Sequence, residues 1–165
     1  MKSKRVAIYG VLVALAFIFS YIEALFPMPM PVPGMKLGLA NIVVLVTLYT
    51  LGYKEGFVIS LVRIILVGFT FGNMNMMLYS LGGGILSYAI MVLMKKLNLL
   101  SIVGVSVLGA IFHNIGQILV AMILLESTVL VYYLPFLLLS GVVCGVLIGI
   151  LGGIMSKRLR NVLNL

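Results

Sequence analysis

Residues 137–155 read Leu-Leu-Leu-Ser-Gly-Val-Val-Cys-Gly-Val-Leu-Ile-Gly-Ile-Leu-Gly-Gly-Ile-Met, a run without a single charge. An apolar stretch of about 20 residues is long enough, as a helix, to cross the hydrocarbon of a bilayer. The rest of the chain has the same character. Of 165 residues, 64% are hydrophobic and 8% charged, where a soluble domain carries about 25% charged residues. Mean hydropathy is +1.33. So little polar surface cannot cover a water-soluble globule, and the composition predicts one all-α integral membrane domain over residues 1–165.

Outward from that run, the apolar sequence is broken in five places. The breaks leave expected spans at about residues 6–26, 37–52, 56–71, 76–94, 101–125 and 130–155. The first break, Pro27-Met28-Pro29-Met30-Pro31-Val32-Pro33-Gly34, cannot be helical, because each proline lacks an N–H and holds its predecessor in extended geometry. A stiff loop is expected there. The others are Gly52-Tyr53-Lys54-Glu55, Gly72-Asn73-Met74-Asn75, Lys95-Lys96-Leu97-Asn98 and Glu126-Ser127-Thr128. Spans two and three are short, which calls for little tilt or local thinning of the bilayer.

Charge orients this layout. With the N-terminus inside, the cytoplasmic segments hold Lys2, Lys4, Arg5, Lys54, Lys95, Lys96, Lys157, Arg158 and Arg160, and the outside loops hold only Lys36. Such a bias marks the cytoplasmic side, and it alternates correctly only with six spans, so both termini are expected in the cytoplasm. A signal peptide over Lys2–Phe19, cleaved near Ala14-Leu15-Ala16, also fits a basic start and an apolar run. The apolar run, however, continues to Phe26, and removing it would leave five spans with mismatched charges. The net charge of +8 forms no basic stripe with stacking aromatics, which argues against nucleic acid.

Polar residues inside the spans mark a candidate site, since an ionisable group in hydrocarbon needs a cavity or a partner. Arg63 falls in span three. His113, Asn114 and Gln117 fall in span five, and their spacing lets one helix face present all three. In the outer half of the layout lie Glu23, Lys36, Asn41, Asn114 and Gln117, with Asn73 and Asn75 in the adjoining loop. Together these predict an outward-opening polar pocket under the prolyl loop. Interhelical hydrogen bonding would explain any one of these residues equally well, and Glu23 and Arg63 could be a structural ion pair. Their concentration on one side favours a pocket.

Small residues recur at four-residue spacing. Gly141, Gly145, Gly149 and Gly153 make a smooth stripe on span six, and Gly10 and Ala14 make a shorter one on span one. Such stripes let helices approach closely. Packing within the monomer is the simpler use, and the span-one pair is the better candidate for a second membrane subunit.

Chemistry has few carriers. There is no Gly-x-x-x-x-Gly-Lys-Ser/Thr motif, so the chain is no P-loop ATPase. Its only carboxylates are Glu23, Glu55 and Glu126, with no aspartate for the magnesium-diphosphate chemistry of a prenyl synthase. One histidine and one cysteine, Cys144, leave no zinc site and no internal disulfide. A serine–histidine pair at His113 lacks a nearby carboxylate to orient it. No enzyme activity, metal or cofactor is expected.

Several segments resemble one family. They are Tyr21-Ile22-Glu23-Ala24-Leu25-Phe26-Pro27 with Lys36-Leu37-Gly38-Leu39-Ala40-Asn41-Ile42-Val43; Arg63 with Ser80-Leu81-Gly82-Gly83-Gly84; Gly109-Ala110-Ile111-Phe112-His113-Asn114-Ile115-Gly116-Gln117; and Tyr133-Leu134-Pro135. The chain resembles the Gx transporter family, also labelled heptaprenyl diphosphate synthase component I, which is similar to the S components of energy-coupling-factor (ECF) transporters. The resemblance implies a six-helix S-component fold in a bacterial plasma membrane, with a small substrate held near the outer face under the loop after helix one. That substrate would be a vitamin, cofactor or precursor, with isoprenoid- or flavin-related molecules among the candidates. The resemblance also implies docking through small residues of helix one, here Gly10 and Ala14, onto a transmembrane subunit driven by two ATPase subunits. The family's other label implies an alternative, an accessory membrane subunit of a heptaprenyl diphosphate synthase. A stand-alone secondary transporter would call for an inverted repeat, and none is found.

Overall fold

A computed structural model describes residues 2–25 and 38–163, with side chains over 6–25 and 38–161. The prolyl loop and Lys36 lie outside the described residues. All regular structure among those described is helical: α1 (Lys2–Leu25), α2 (Asn41–Thr50), α3 (Tyr53–Thr70), α4 (Met74–Leu97), α5 (Ile102–Leu124), a short 3-10 turn (Thr128–Tyr133) and α6 (Leu134–Leu163). This is the form a lipid-embedded chain requires, because a helix satisfies its own backbone hydrogen bonds.

Polar breaks in the sequence become helix caps. Asn73 caps α4, its side chain accepting from Met76 N at 2.8 Å. Asn98 ends α4 in the left-handed conformation, and Ser101 caps α5, its hydroxyl accepting from Gly104 N at 3.3 Å. Capping by Asn and Ser satisfies N–H groups that have no partner within the helix. α4 therefore begins earlier than its apolar run and carries Lys95 and Lys96 in its last turn. Asn73 and Asn75, placed in an outer loop by the sequence reading, are a cap and a first-turn residue, both exposed.

Six spans are expected and the described residues form six α-helices, but only four described stretches have the length and apolarity of a full crossing: Val6–Leu25, Met74–Leu97, Ile102–Leu124 and Thr128–Asn161. Among them the chain is a multi-pass membrane protein. α3 has 18 residues and carries Lys54, Glu55 and Arg63. α2 has only 10, about 15 Å at 1.5 Å per residue, half of a hydrocarbon core of about 30 Å. It needs no more, because it does not face lipid. Residues Ile42 through Leu48 are all buried, and a helix apolar all round belongs in an interior.

Neighbouring helices run α1–α3–α4–α5–α6, and α2 packs against α1, α3 and α6. One core gathers Leu45 and Leu48 of α2 with Tyr88 and Met91 of α4, Val105 of α5 and Ile148 of α6. A second joins Val43 of α2 to Leu12, Ala16 and Ile59. The helices alternate in direction, which gives the bundle two distinct ends. At one, Phe71 meets Phe17 and Tyr21 edge-on, with ring centroids 5.2 and 5.5 Å apart. At the other, Lys95 Nζ donates to Leu48 O at 2.6 Å and the Arg160 guanidinium donates to Tyr49 O.

Candidate functional site

The polar residues of α1, α2, α3 and α5 converge at the end of the bundle away from Lys95 and Arg160. Glu23, in the last turn of α1, accepts a hydrogen bond from Gly38 N at 2.6 Å. Gly38 has φ +87, a conformation that L side chains rarely adopt. It also has no room for one: an added Cβ would lie 2.7 Å from Asn41 Nδ2 and 3.9 Å from His113 Cδ2. This glycine thus places α1, the start of α2 and α5 within touching distance.

Arg63, 6% exposed on α3, lies within electrostatic reach of both Glu23 and His113. The sequence layout put Glu23 in its outer half but not Arg63. The fold brings them into range because α3 ends beside the last turn of α1, so rise along one helix alone does not measure their separation.

His113 and Gln117 project from α5 against the glycine run of α4. A Cβ at Gly83 would lie 2.7 Å from His113 O, 2.8 Å from Gln117 Cγ and 3.1 Å from His113 Cε1. A Cβ at Gly116 would strike Gly82 O at 2.6 Å. Backbone contact of this closeness is what small residues permit, and it buries His113 and Gln117 to 3% and 1% exposure.

Asn114 does something different. Its Nδ2 donates to Leu137 O at 2.6 Å, clamping α5 to α6 beside Gly141. Of the seven residues singled out from sequence, the structure therefore brings Glu23, Asn41, Arg63, His113 and Gln117 around Gly38 and Gly83, turns Asn114 toward α6, and leaves Lys36 outside the described residues. Gly38 and Gly83 were not among the predicted site residues. Gly83 showed only as part of a glycine run, and no sequence signal marks the positive φ of Gly38.

Three polar atoms of this cluster are buried with no hydrogen-bond partner among the described residues: Arg63 Nε, His113 Nδ1 and Gln117 Nε2. Each such group costs about 1–3 kcal/mol when left unsatisfied. The Arg63 and Gln117 atoms are donors, and an imidazole nitrogen serves as either donor or acceptor. Because the His113 ring is hydrogen-bonded to the Gly83 backbone through its other nitrogen, Nδ1 is left as an acceptor, so a molecule offering acceptors to Arg63 and Gln117 and one donor to His113 would answer all three. Below them, Asn41 borders a void of about 10 Å³ shared with Ser87 and Ser106, about the volume one water occupies. Among the described residues no three His, Cys, Asp or Glu side chains gather as a metal site requires.

The model of the family described as heptaprenyl diphosphate synthase component I matches residues 12–155. The chain belongs to this family. The matched region contains Ala14 and every residue of the polar cluster, and Gly10 precedes it. The fold is similar to a solved structure described as the S component of a bacterial ECF transporter. The match has 24% identity, 99% coverage of each chain and a TM-score of 0.60. No curated protein matches.

The two small-residue stripes have separate surroundings. A Cβ at Gly145 would lie 2.6 Å from Val107 Cα, one at Gly149 2.7 Å from Val103 Cα, and one at Gly141 2.9 Å from Asn114 Nδ2. The α6 stripe is consumed by α5. Gly10 has no such neighbour within 4 Å, and both it and Ala14 are exposed. Gly10 borders a groove of about 550 Å³ between α1 and α3, with Tyr9, Val13, Lys54, Glu55 and Val58.

Proposed function

We propose that this family member is the substrate-binding (S) subunit of an ECF-type importer in a bacterial plasma membrane, capturing a small cofactor, vitamin or precursor from the outer face. In this reading residues 1–165 form one transmembrane domain whose six helices pass between the membrane faces, both termini being cytoplasmic. Glu23, Asn41, Arg63, His113 and Gln117 bind or support the ligand, Asn114 holds α6 in place, and Lys36 contributes from the loop above. The observation that carries the proposal is the set of three buried polar atoms on Arg63, His113 and Gln117 that have no partner among the described residues. They sit at the end of the bundle opposite the basic residues, and buried polar groups are ordinarily satisfied. Arg63 and Lys36 favour a ligand with anionic or carbonyl groups, and His113 Nδ1 one that also carries a donor. The ATP-dependent step falls to a transmembrane subunit and two ATPase subunits, because the chain has no P-loop; the exposed Gly10 and Ala14 face supports docking there.

Native mass spectrometry of the detergent-purified protein tests the reading. A retained small molecule that disappears in Arg63→Met and Gln117→Leu variants is expected. A folded protein carrying no mass, or the same mass in both variants, would refute the site.

The family's description supports a second reading, a non-catalytic membrane subunit of a heptaprenyl diphosphate synthase. It predicts a stable complex with a soluble, aspartate-rich subunit and no bound small molecule. In both readings the chain itself is not an enzyme: without aspartate, and with its three glutamates dispersed, it offers no paired carboxylates for magnesium-diphosphate.

A further inference from the structure

The basic end holds a cluster that substrate capture does not use. Lys95 Nζ donates to Leu48 O at 2.6 Å and lies 4.9 Å from the centre of the Tyr49 ring and 4.6 Å from that of Tyr53. Lys96 Nζ lies 5.5 Å from the Tyr53 ring. The Arg160 guanidinium donates to Tyr49 O, the carbonyl next to the one that Lys95 holds. Lys95 and Arg160 are near enough to interact electrostatically. Three cations from α4 and α6 therefore meet at the turn between α2 and α3, on a wall of two tyrosines.

Among the described residues, local negative charge balances them only in part. The carbonyl end of α2 supplies about half an elementary charge. Of the three glutamates, Glu23 is at the opposite end and Glu126 follows the opposite-end terminus of α5, while Glu55 belongs to the same turn, its Oε2 2.9 Å from where a Cβ on Gly52 would lie, so that one carboxylate and the helix end face three cations. Lys95 is only partly exposed, so solvent screens it incompletely. Basic pockets between membrane helices recognise anionic head groups, and tyrosine is enriched where head groups meet hydrocarbon.

We propose that the corner formed by Lys95, Lys96, Arg160, Tyr49 and Tyr53 binds a phosphate-bearing anion, the headgroup of an anionic phospholipid. The phosphate accepts from Lys96 and Arg160, whose nitrogens keep unused donors. Lys95 remains on the α2 carbonyl, and the acyl chains run along the lipid-facing side of α4. The site lies at the far end of α2 from Asn41 and is independent of whether the polar cluster binds a substrate.

The full-length protein, purified in detergent, is titrated with phosphatidylglycerol, phosphatidylcholine or inorganic phosphate and bound adducts are counted by native mass spectrometry. Phosphatidylglycerol should be retained preferentially, and each charge removed in Lys96→Gln and Arg160→Gln should weaken it about fivefold. The matched pair Lys157→Gln and Arg158→Gln, exposed on the same end of α6, should leave it unchanged. Lys96 makes no backbone bond among those described, so Lys96→Gln alone keeps the test valid if Arg160→Gln misfolds. Equal loss in the Lys157 and Arg158 pair, equal binding of phosphatidylcholine, or undiminished binding by Lys96→Gln would each overturn the proposal. Occupancy by inorganic phosphate without lipid retention would overturn the assignment to a lipid.

Discussion

α1 and α6 both carry small residues one turn apart, and they use them in opposite ways. On α6 every glycine of the stripe from Gly141 to Gly153 rests on α5, with the Cα atoms of Val107 and Val103 where a Cβ would go. On α1 Gly10 touches nothing across its open face. Only 17% of the first span's apolar window is buried, against 28% of that in the stretch holding α6. The same pattern of residues is core packing in one helix and free surface in the other, so spacing alone does not reveal which partner a small-residue stripe serves.

The sharpest way to break this comparison is bulk. Gly145→Leu should cost about 3 kcal/mol or more, since overpacking against backbone finds no flexible side chain to displace. The expected result in detergent is loss of the monodisperse species or a large fall in Tm. If Gly145→Leu melts like the parent, the close contact of α5 and α6 is wrong.

Next is the α5–α6 clamp. Asn114→Ala should cost about 1–3 kcal/mol by losing a buried bond to Leu137 O, with any bound small molecule still retained once the protein is folded. Selective loss of ligand with an unchanged Tm would move Asn114 from the packing side of the comparison to the binding side.

Gln117→Leu should behave in the opposite sense. Removing a buried, unpartnered amide is expected to leave Tm unchanged or raise it by the equivalent of about 1 kcal/mol, while ligand retention falls. A large drop in Tm would show Gln117 to be structural glue.

The smallest stability effect belongs to Gly10→Leu, within about 0.5 kcal/mol for a surface change. In the proposed transporter it should nevertheless abolish copurification with the ATPase-bearing partner. Unimpaired copurification would remove the α1 face from the docking surface.

Part of the site was legible beforehand. Arg63, His113 and Gln117 stood out because charge and amide are costly in hydrocarbon, and a chain with so few polar residues has little reason to bury one idly. Asn114 stood out for the same reason, yet its partner is a backbone carbonyl on α6, and no sequence pattern announces a carbonyl. Gly38 escaped notice because its role is a positive φ and a lack of bulk between Asn41 and His113. Both are properties of the folded path rather than of the residue type. Asn73 and Asn98 were readable as breaks but not as the caps of α4.

Composition by itself determined the solvent. With 64% hydrophobic residues and runs such as 137–155, the chain has to be helical in lipid, since no other local structure satisfies an exposed backbone there. Tertiary packing decided what hydropathy cannot express. It enclosed α2 so fully that ten residues suffice where a lipid-facing helix would need twice as many. It also set Glu23 within reach of Arg63, and spent the glycines of α6 while leaving Gly10 bare. Hydropathy records what each residue prefers around it, and only the arrangement of neighbours specifies which residue meets which.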